Sequence, residues 1–449
     1  MSEPVIDEVQ YALNEPPPTP AGRQAAWFLS RLHAQGKGAT LADFERYSPM
    51  LAGGPPQADS DAQAIERWRE LAARVGAIET IALAPICDLE AEATIVAKGR
   101  RWKFAIAVEA AAPHRIEKIA WERLFDFKLE VREATPADAA ILADLESRCP
   151  IVHDDVSVWF DRGEHYFDFS RLMEDCTVGL ATVDGTPAAV TCGARHTVRI
   201  GGALRSIISV SHLRVLPEHQ RKGLWGAANR VLDKYWPTVD GSSAYIAVGN
   251  AGMQHGFRST PNKWPICLQW AKLDCARLAG PAFGKSAVPA DAALIVQGLN
   301  AFHQREEMFV PYTQERFEAR MERASDLYGW ERLWIGPGAV VGVWPAGRAL
   351  RTVTERSGAR SICEPGVVLD YAYAPGAEGA FEALVRAWCA WLAARGMDRL
   401  SIFTSPASPG ADLITALADE VEDFNMWTPG IEAPAGAEQH GLYVDPVYF

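Results

Sequence analysis

The sequence predicts an α+β protein built from mixed, mainly antiparallel sheets flanked by helices. Three observations lead there. Apolar residues at helical spacing open the chain and give way at Ile78 to short strand-like runs. A tight hairpin followed by strand, loop, helix and strand occupies the middle of the chain. The same order recurs, more weakly, near the C-terminus.

Taken in order, the acidic, proline-rich stretch over residues 1–20 reads as a loosely packed tail. Ala25 to Leu32, Leu41 to Tyr47 and Ala62 to Val75 then show helical periodicity, the last set off by the turn-rich MLAGGPPQADSD. IETIALAP, EATIVAK, RWKFAIAVEA and HRIEKIAWERLF follow as strands of a curved sheet. Helices followed by strands carrying TIVAKGRRWKFAIAV and APHRIEKI resemble the cone-shaped domains of the nuclear-transport-factor and SnoaL-like superfamily. The resemblance implies an N-terminal α+β domain over 21–128, of a kind that in some members holds a ligand and in many serves docking or dimerisation.

A new unit starts at Leu129, where LEVREATPADAAILADLESRC runs from a short strand through the helix-start signal Thr135-Pro136 into a helix. CTVGLATV and TPAAVTCGARHTVR are strands joined at the Asp184-Gly185 turn, and SIISVSHLRVL is a third strand. PEHQRKGLWGAANRVLDKYW predicts a turn and an amphipathic helix with Leu224, Ala227, Ala228, Val231 and Leu232 near one face. The strand SAYIAVG closes a right-handed crossover, which makes the last two strands parallel. Downstream, AVPADAALIVQGL echoes ATPADAAILADL, RLWIGPGAVVGVW reads as a hairpin, and the region from GVVLDYAYAP to RLSIFTS repeats strand, loop, helix and strand. We read an internal duplication, 129–278 and 279–449. With 449 residues and roughly 150 per domain, about three domains are expected.

Bulk properties narrow the function. A formal charge of -13 opposes binding to a phosphate backbone, so nucleic acid is not an expected partner. The eight cysteines form no CxxC pair or metal-ligand spacing, which predicts reduced thiols and no metal. The N-terminus lacks the pattern of a secretory signal, so a cytoplasmic protein is expected. No apolar run is long enough to span a bilayer, while the 15 tryptophans leave peripheral membrane contact open.

The segment richest in chemistry is HLRVLPEHQRKGLWGAANRVL. A strand ends at Val215, a proline turn follows, and Gln220, Arg221, Lys222 and Gly223 lead into a helix. Unpaired amides at a helix start, a glycine without Cβ and two cations suit a diphosphate. The strand ending LRV, the proline turn, the Gln220 to Gly223 element and the opening REATPADAAILADL together resemble the GNAT superfamily of acyl-CoA N-acyltransferases.

That resemblance implies an acyl-CoA co-substrate, acetyl-CoA or a longer acyl-CoA, with its pyrophosphate on Gln220, Arg221, Lys222, Gly223, Leu224, Trp225 and Gly226. The backbone of Leu213, Arg214 and Val215 is then expected to pair with the pantetheine arm and polarise the thioester carbonyl. The family pattern QxxGxG or QxxGxA is met at Gln220 and Gly223, but Trp225 holds its last position and Gly226 comes one place late. In the second copy, GAEGAFEAL after Pro375 has neither the glutamine and glycine pair nor a basic residue, which predicts a degenerate, structural GNAT fold.

Catalytic groups are less evident. The family tyrosine position is occupied by Gly252. Ser209 and Ser211 fall by alternation on the face shared with Leu213 and Val215, where a serine can hold a proton-accepting water; His212 is placed on the other face as a packed histidine. His255 is a candidate acid or base or a satisfied helix residue. Asn250 either bonds the pantetheine arm or caps the next helix. Asp154, Asp155, Glu164 and His165 lie in the segment where the family builds acceptor selectivity, or are solvated charge on a helix. Some two-domain members use a terminal carboxylate as base, and this sequence ends at Phe449. The expected activity is direct acyl transfer to the amine of a small molecule or lipid precursor. The alternative is a catalytically silent CoA-binding or scaffold protein, and a minor third reading is acyl-CoA hydrolysis or decarboxylation.

Overall fold

Thr19 starts the first helix, Pro20–His33: its Oγ1 accepts from Gly22 N at 3.0 Å, and proline occupies the first turn. The computed structural model describes residues 13, 16–34, 71–73, 75–153, 156–220, 222–250, 253 and 263–448. The chain divides into two compact units, Met1–Phe127 and Lys128–Phe449. In the first unit, strands β1 (Ile78–Pro85), β2 (Glu90–Ala97), β3 (Arg100–Val108) and β4 (Ile116–Leu124) form an antiparallel sheet in chain order. Alternation along β3 turns Trp102, Phe104, Ile106 and Val108 inward, into one core with Phe28, Leu29 and Leu32 of the helix. The helix expected at Leu41 to Tyr47, and most of the one at Ala62 to Val75, lie outside the described residues.

The second unit holds β5 (Leu129–Glu133), β6 (Ile151–His153), β7 (Val156–Phe160), β8 (Cys176–Val183), β9 (Thr186–Ile200), β10 (Ala203–Val215), β11 (Gly241–Ala247) and β12 (Lys263–Asp274). It continues with β13 (Lys285–Ser286), β14 (Leu333–Gly336), β15 (Ala339–Trp344), β16 (Thr352–Arg356), β17 (Ala359–Cys363), β18 (Pro365–Tyr373), β19 (Arg399–Thr404) and β20 (Glu420–Trp427). Twelve of these make one sheet in the order β13-β14-β15-β18-β19-β12-β20-β11-β10-β9-β8-β5. The order is palindromic. β5, β8, β9, β10 and β11 on one side answer β13, β14, β15, β18 and β19 on the other, and the two strands between are exchanged. β12 pairs with β19, and β20 pairs with β11.

The two PADAA segments are alike down to single bonds. Thr135 N donates to Asp138 Oδ2 at 2.8 Å, and Val288 N donates to Asp291 Oδ2 at 3.0 Å. Each bond closes a 3-10 turn that opens into a helix, Ala139–Ser147 and Ala292–His303. Asp184 (φ 50°) and Gly185 (φ 82°) make the expected tight turn between β8 and β9. The α+β prediction, with mixed and mainly antiparallel sheets, is met.

One expectation is corrected. The segment considered as a charged helix, IVHDDVSVWFDRGEHYFDF, is a hairpin of β6 and β7 followed by a 3-10 turn, Gly163–Phe167. β-branched and aromatic residues in VSVWF favour the extended form, and β16 supplies a pairing edge from Thr352↔Phe160 to Arg356↔Val156. A second sheet, β17-β16-β7-β6, results. All eight cysteines are unbridged. No helix among the described residues is long and apolar enough to cross a membrane.

Candidate functional site

β10 runs antiparallel to β9 with Ser209 opposite Ala194 and Ser211 opposite Cys192, but Arg214 then stands opposite Val190. Three steps on β10 answer two on β9, so β10 carries a bulge at His212 and Leu213. His212 takes a left-handed backbone, φ +51°, which is uncommon for a residue with a Cβ. The extra residue resets the alternation. Ile208 and Val210 pack with Leu232 and Tyr235 on one face, whereas His212 stacks on Phe169 of the opposite core at 4.1 Å and 18°. Placing His212 by strict alternation on the face of Ile208 is therefore overturned: the bulge brings it to the face of Ile207 and Ser209.

β10 and β11 are parallel only over Ile207↔Gly241, Ile208↔Ser242 and Ser209↔Ser243. Beyond these pairs β11 joins β20 at Ala244↔Trp427, and no strand among the described residues pairs with that edge of β10. The two strands splay, and the backbone from Val210 to Val215 faces the gap. Leu213, Arg214 and Val215 are all half-buried here.

The gap leads into the turn. Pro217–His219 is a 3-10 turn, Gln220 Nε2 donates to the Val215 carbonyl at 3.3 Å, and Lys222 is exposed. Gly223, at φ +86°, reverses the chain into the helix Leu224–Ala228, a conformation that favours glycine. Arg221 lies outside the described residues. The amphipathic helix expected through Leu232 is corrected to one α-helical stretch followed by a 3-10 turn, Asn229–Leu232. Asn229 Oδ1 accepts from Thr191 Oγ1 on the sheet at 2.7 Å, and Gly193 admits Leu232 so closely that a Cβ there would lie 2.5 Å from its Cδ2. Trp225 is half-buried beside Ile246 and Trp427, while a Cβ on Gly226 would meet no atom within 4 Å.

Of the remaining candidates, Ser209 is buried and bonded on both sides, 2.8 Å from His196 Nε2 and 2.8 Å from Ser243 Oγ. Ser211 is half-buried beside the bulge. Asn250 Oδ1 accepts from Met253 N at 3.1 Å, the capping alternative. Glu164 is exposed, and His165 Nδ1 lies 2.9 Å from Asp168 Oδ2 in the 3-10 turn after β7. Asp154, Asp155, His255 and Phe449 lie outside the described residues. Among the described residues, no group of three or more His, Cys, Asp or Glu side chains could hold a metal ion.

Sequence reasoning missed a small cleft lined by His196, Tyr245, Tyr312, Arg316, Asp445 and Tyr448 among others. His196 stacks on Tyr448 at 3.8 Å and 5°, and burial pushes its imidazole down to about 4. Below the cleft, Arg320 bridges Asp370 (3.2 Å) and Asp445 (2.6 Å). These residues lie far apart in the sequence, from His196 to Tyr448, so no local pattern could have assembled them.

The C-terminal side of the sheet shows a similar splay but not the turn. β18 and β19 are parallel over Pro365↔Arg399 to Val367↔Ser401, and a bulge again interrupts the fourth-strand pairing, Gly342↔Asp370 being followed by Val343↔Val368. Its helix, Glu378–Ala393, begins with Glu378, whose Oε1 accepts from Gly376 N at 3.2 Å. A carboxylate thus stands at the start of this helix, where Leu224–Ala228 is preceded by Lys222 and Gly223.

No family model and no curated protein matches the sequence. Among solved structures, the chain is similar to Saccharomyces cerevisiae N-myristoyltransferase with bound myristoyl-CoA, at 11% identity and a TM-score of 0.50, over 72% of this chain and 90% of that one. The chain shares the fold of that yeast structure. Another structure of the yeast enzyme with myristoyl-CoA matches at 12% identity and a TM-score of 0.50, over 72% and 86% of the two chains. A GCN5-related N-acetyltransferase from Sphaerobacter thermophilus, 15% identical, aligns over 68% and 97% with a TM-score of 0.43. At these identities the likeness is one of fold.

Proposed function

We propose that this protein is an acyl-CoA-dependent N-acyltransferase that transfers acetyl or a longer acyl group directly to the amine of a small molecule or lipid precursor. The observation that carries the reading is the bulged, one-sided edge of β10 opening into the Gln220 to Gly223 turn. The edge of β10 past Ser209, which no described strand pairs on that side, suits the amide-rich pantetheine arm and a developing oxyanion, and the turn suits its diphosphate. The yeast enzyme of similar fold holds myristoyl-CoA. We read 129–278 as the catalytic GNAT fold, 279–449 as a degenerate copy and 21–128 as a structural domain for docking or dimerisation.

A silent CoA-binding protein is the second reading, favoured by Gly252 at the tyrosine position and by Gly226, which no neighbour requires to be glycine. Calorimetry with acetyl-CoA and a long-chain acyl-CoA tests the donor site. Wild type is expected to bind about one equivalent and Gly223→Glu none, because the new carboxylate repels the diphosphate. Equal binding by a folded Gly223→Glu protein would remove the turn from the donor site, and amide formation from any amine would rule out the silent reading.

A further inference from the structure

The bulge at His212 places an imidazole among buried polar groups that the donor reading does not use. Its Nδ1 lies 3.8 Å from Glu146 Oε1, with the His212 side chain 8% and the Glu146 side chain 1% exposed. Glu146 Oε2 accepts from Arg162 Nε at 2.9 Å, and Arg162 Nη1 donates to the Ala349 carbonyl at 2.9 Å. The guanidinium lies 4.4 Å from the centroid of the Phe160 ring. Tyr166 is fully buried, its ring 6.3 Å from that of His212.

Within this apolar shell, Glu146 Oε1, His212 Nδ1 and Tyr166 Oη have no hydrogen-bond partner. Unbonded buried polar atoms are costly, and a buried ion pair is a poor source of stability compared with apolar packing. The strained backbone at His212 adds to that cost. Cost concentrated on one residue, in the strand whose next residues face the splay, points to chemistry rather than to packing.

We propose that His212 is the base that takes the proton from the acceptor amine, with Glu146 and Arg162 as positioning residues; this rests on the acyl-CoA reading of the β10–β11 splay. Arg162 fixes the Glu146 carboxylate, whose charge 3.8 Å from Nδ1 favours the neutral tautomer with its proton on that nitrogen. Nε2, on the other side of the ring, then carries the lone pair. The amine nitrogen attacks the thioester carbonyl carbon held against the backbone after the bulge. The C–N bond forms, the proton passes from the amine to Nε2, and the C–S bond breaks. The imidazolium returns the proton to the thiolate, which leaves amide and CoA thiol and restores the base.

The groups facing the ring agree with this role. Burial, with Arg162 from the segment after β7 and Arg214 from β10 itself, holds the imidazole well below its ordinary value. Glu146 from the helix Ala139–Ser147 opposes them, and Tyr166 is neutral because burial raises it. His212 therefore stays unprotonated throughout the neutral range and loses its function as pH falls through its lowered value, not around 6.5.

The test uses the full chain, acetyl-CoA and n-butylamine, with N-butylacetamide measured by mass spectrometry and acetyl-CoA binding by calorimetry. His212→Gly suits the left-handed backbone and is expected to fold. It should bind acetyl-CoA as wild type does, lose at least about 100-fold in kcat, lose the acidic limb of the pH profile and recover amide formation with added imidazole. Glu146→Gln removes the carboxylate that favours the imidazolium, so it should move that limb to lower pH. Wild type failing to bind acetyl-CoA would overturn the donor reading. Binding without amide formation by wild type, or a His212→Gly protein with wild-type rate and pH profile, would overturn the role of His212 alone.

Discussion

His196 ties β9 to the C-terminal segment through one ring: Nε2 is 2.8 Å from Ser209 Oγ, and the ring lies flat on Tyr448. Burial depresses its imidazole to about 4, with Arg316 adding to the effect and Asp445 opposing it. In the unfolded chain the same ring protonates near 6.5. Between these values the unfolded state binds more protons than the folded one, so stability present above pH 6.5 drains away as pH falls toward 4 and changes little below. The loss is at most about 3 kcal/mol, less where solvent reaches the half-buried ring. His196→Gln should flatten this window. Thermal melts of both proteins at pH 7, 5.5 and 4 check it, and parallel decline would assign the acid sensitivity to other groups. Neither this residue nor His212 was legible in the sequence as a site. Alternation assigns His212 to the face of Ile208 and Val210, because a bulge depends on the register of the partner strand and leaves no local composition.

Elements whose determinants are local were legible. Asp184-Gly185 encodes its own turn, and Thr135-Pro136 with Asp138 encodes its own helix start. The strand-to-turn passage through Gly223 was legible for the same reason. The extent of the helix after it was not, since Asn229 is drawn to Thr191 and Leu232 settles onto Gly193, both distant in sequence. This contact predicts opposite outcomes for two glycines. Gly193→Ala drives a Cβ to 2.5 Å from Leu232 Cδ2 and 2.6 Å from Cδ1, and should cost about 1–3 kcal/mol in urea denaturation. Gly226→Ala meets open space within the helix Leu224–Ala228, and should leave stability unchanged or raise it by about 0.5–1 kcal/mol. If Gly193→Ala were as stable as wild type, the close seat of this helix on the sheet would be wrong.

At the scale of the molecule, the likeness of the paired PADAA openings was legible, but the exchange of strands between the two sides of the sheet was not, because no local pattern announces where β12 and β20 go. The exchange makes each half of the large sheet incomplete. β12 lies between β19 and β20, from Lys272↔Glu420 to Cys267↔Asn425 on one edge and from Asp274↔Arg399 to Gln269↔Thr404 on the other. Lys272 Nζ binds Glu420 at 2.7 Å and Glu422 at 2.9 Å across the former edge. Residues 128–278 alone would leave β11 without β20 and β12 without either neighbour, with Leu268, Ala271 and Leu273, all fully buried in the intact chain, set on unpaired strands. Such edges recruit other chains rather than remain solvated. Produced separately, 128–278 should therefore aggregate or remain unfolded, and produced together with 279–449 it should form a one-to-one complex with a single cooperative melt. Size-exclusion chromatography with light scattering distinguishes the cases, and a monomeric, cooperatively melting 128–278 would show that the exchanged strands are dispensable to the fold.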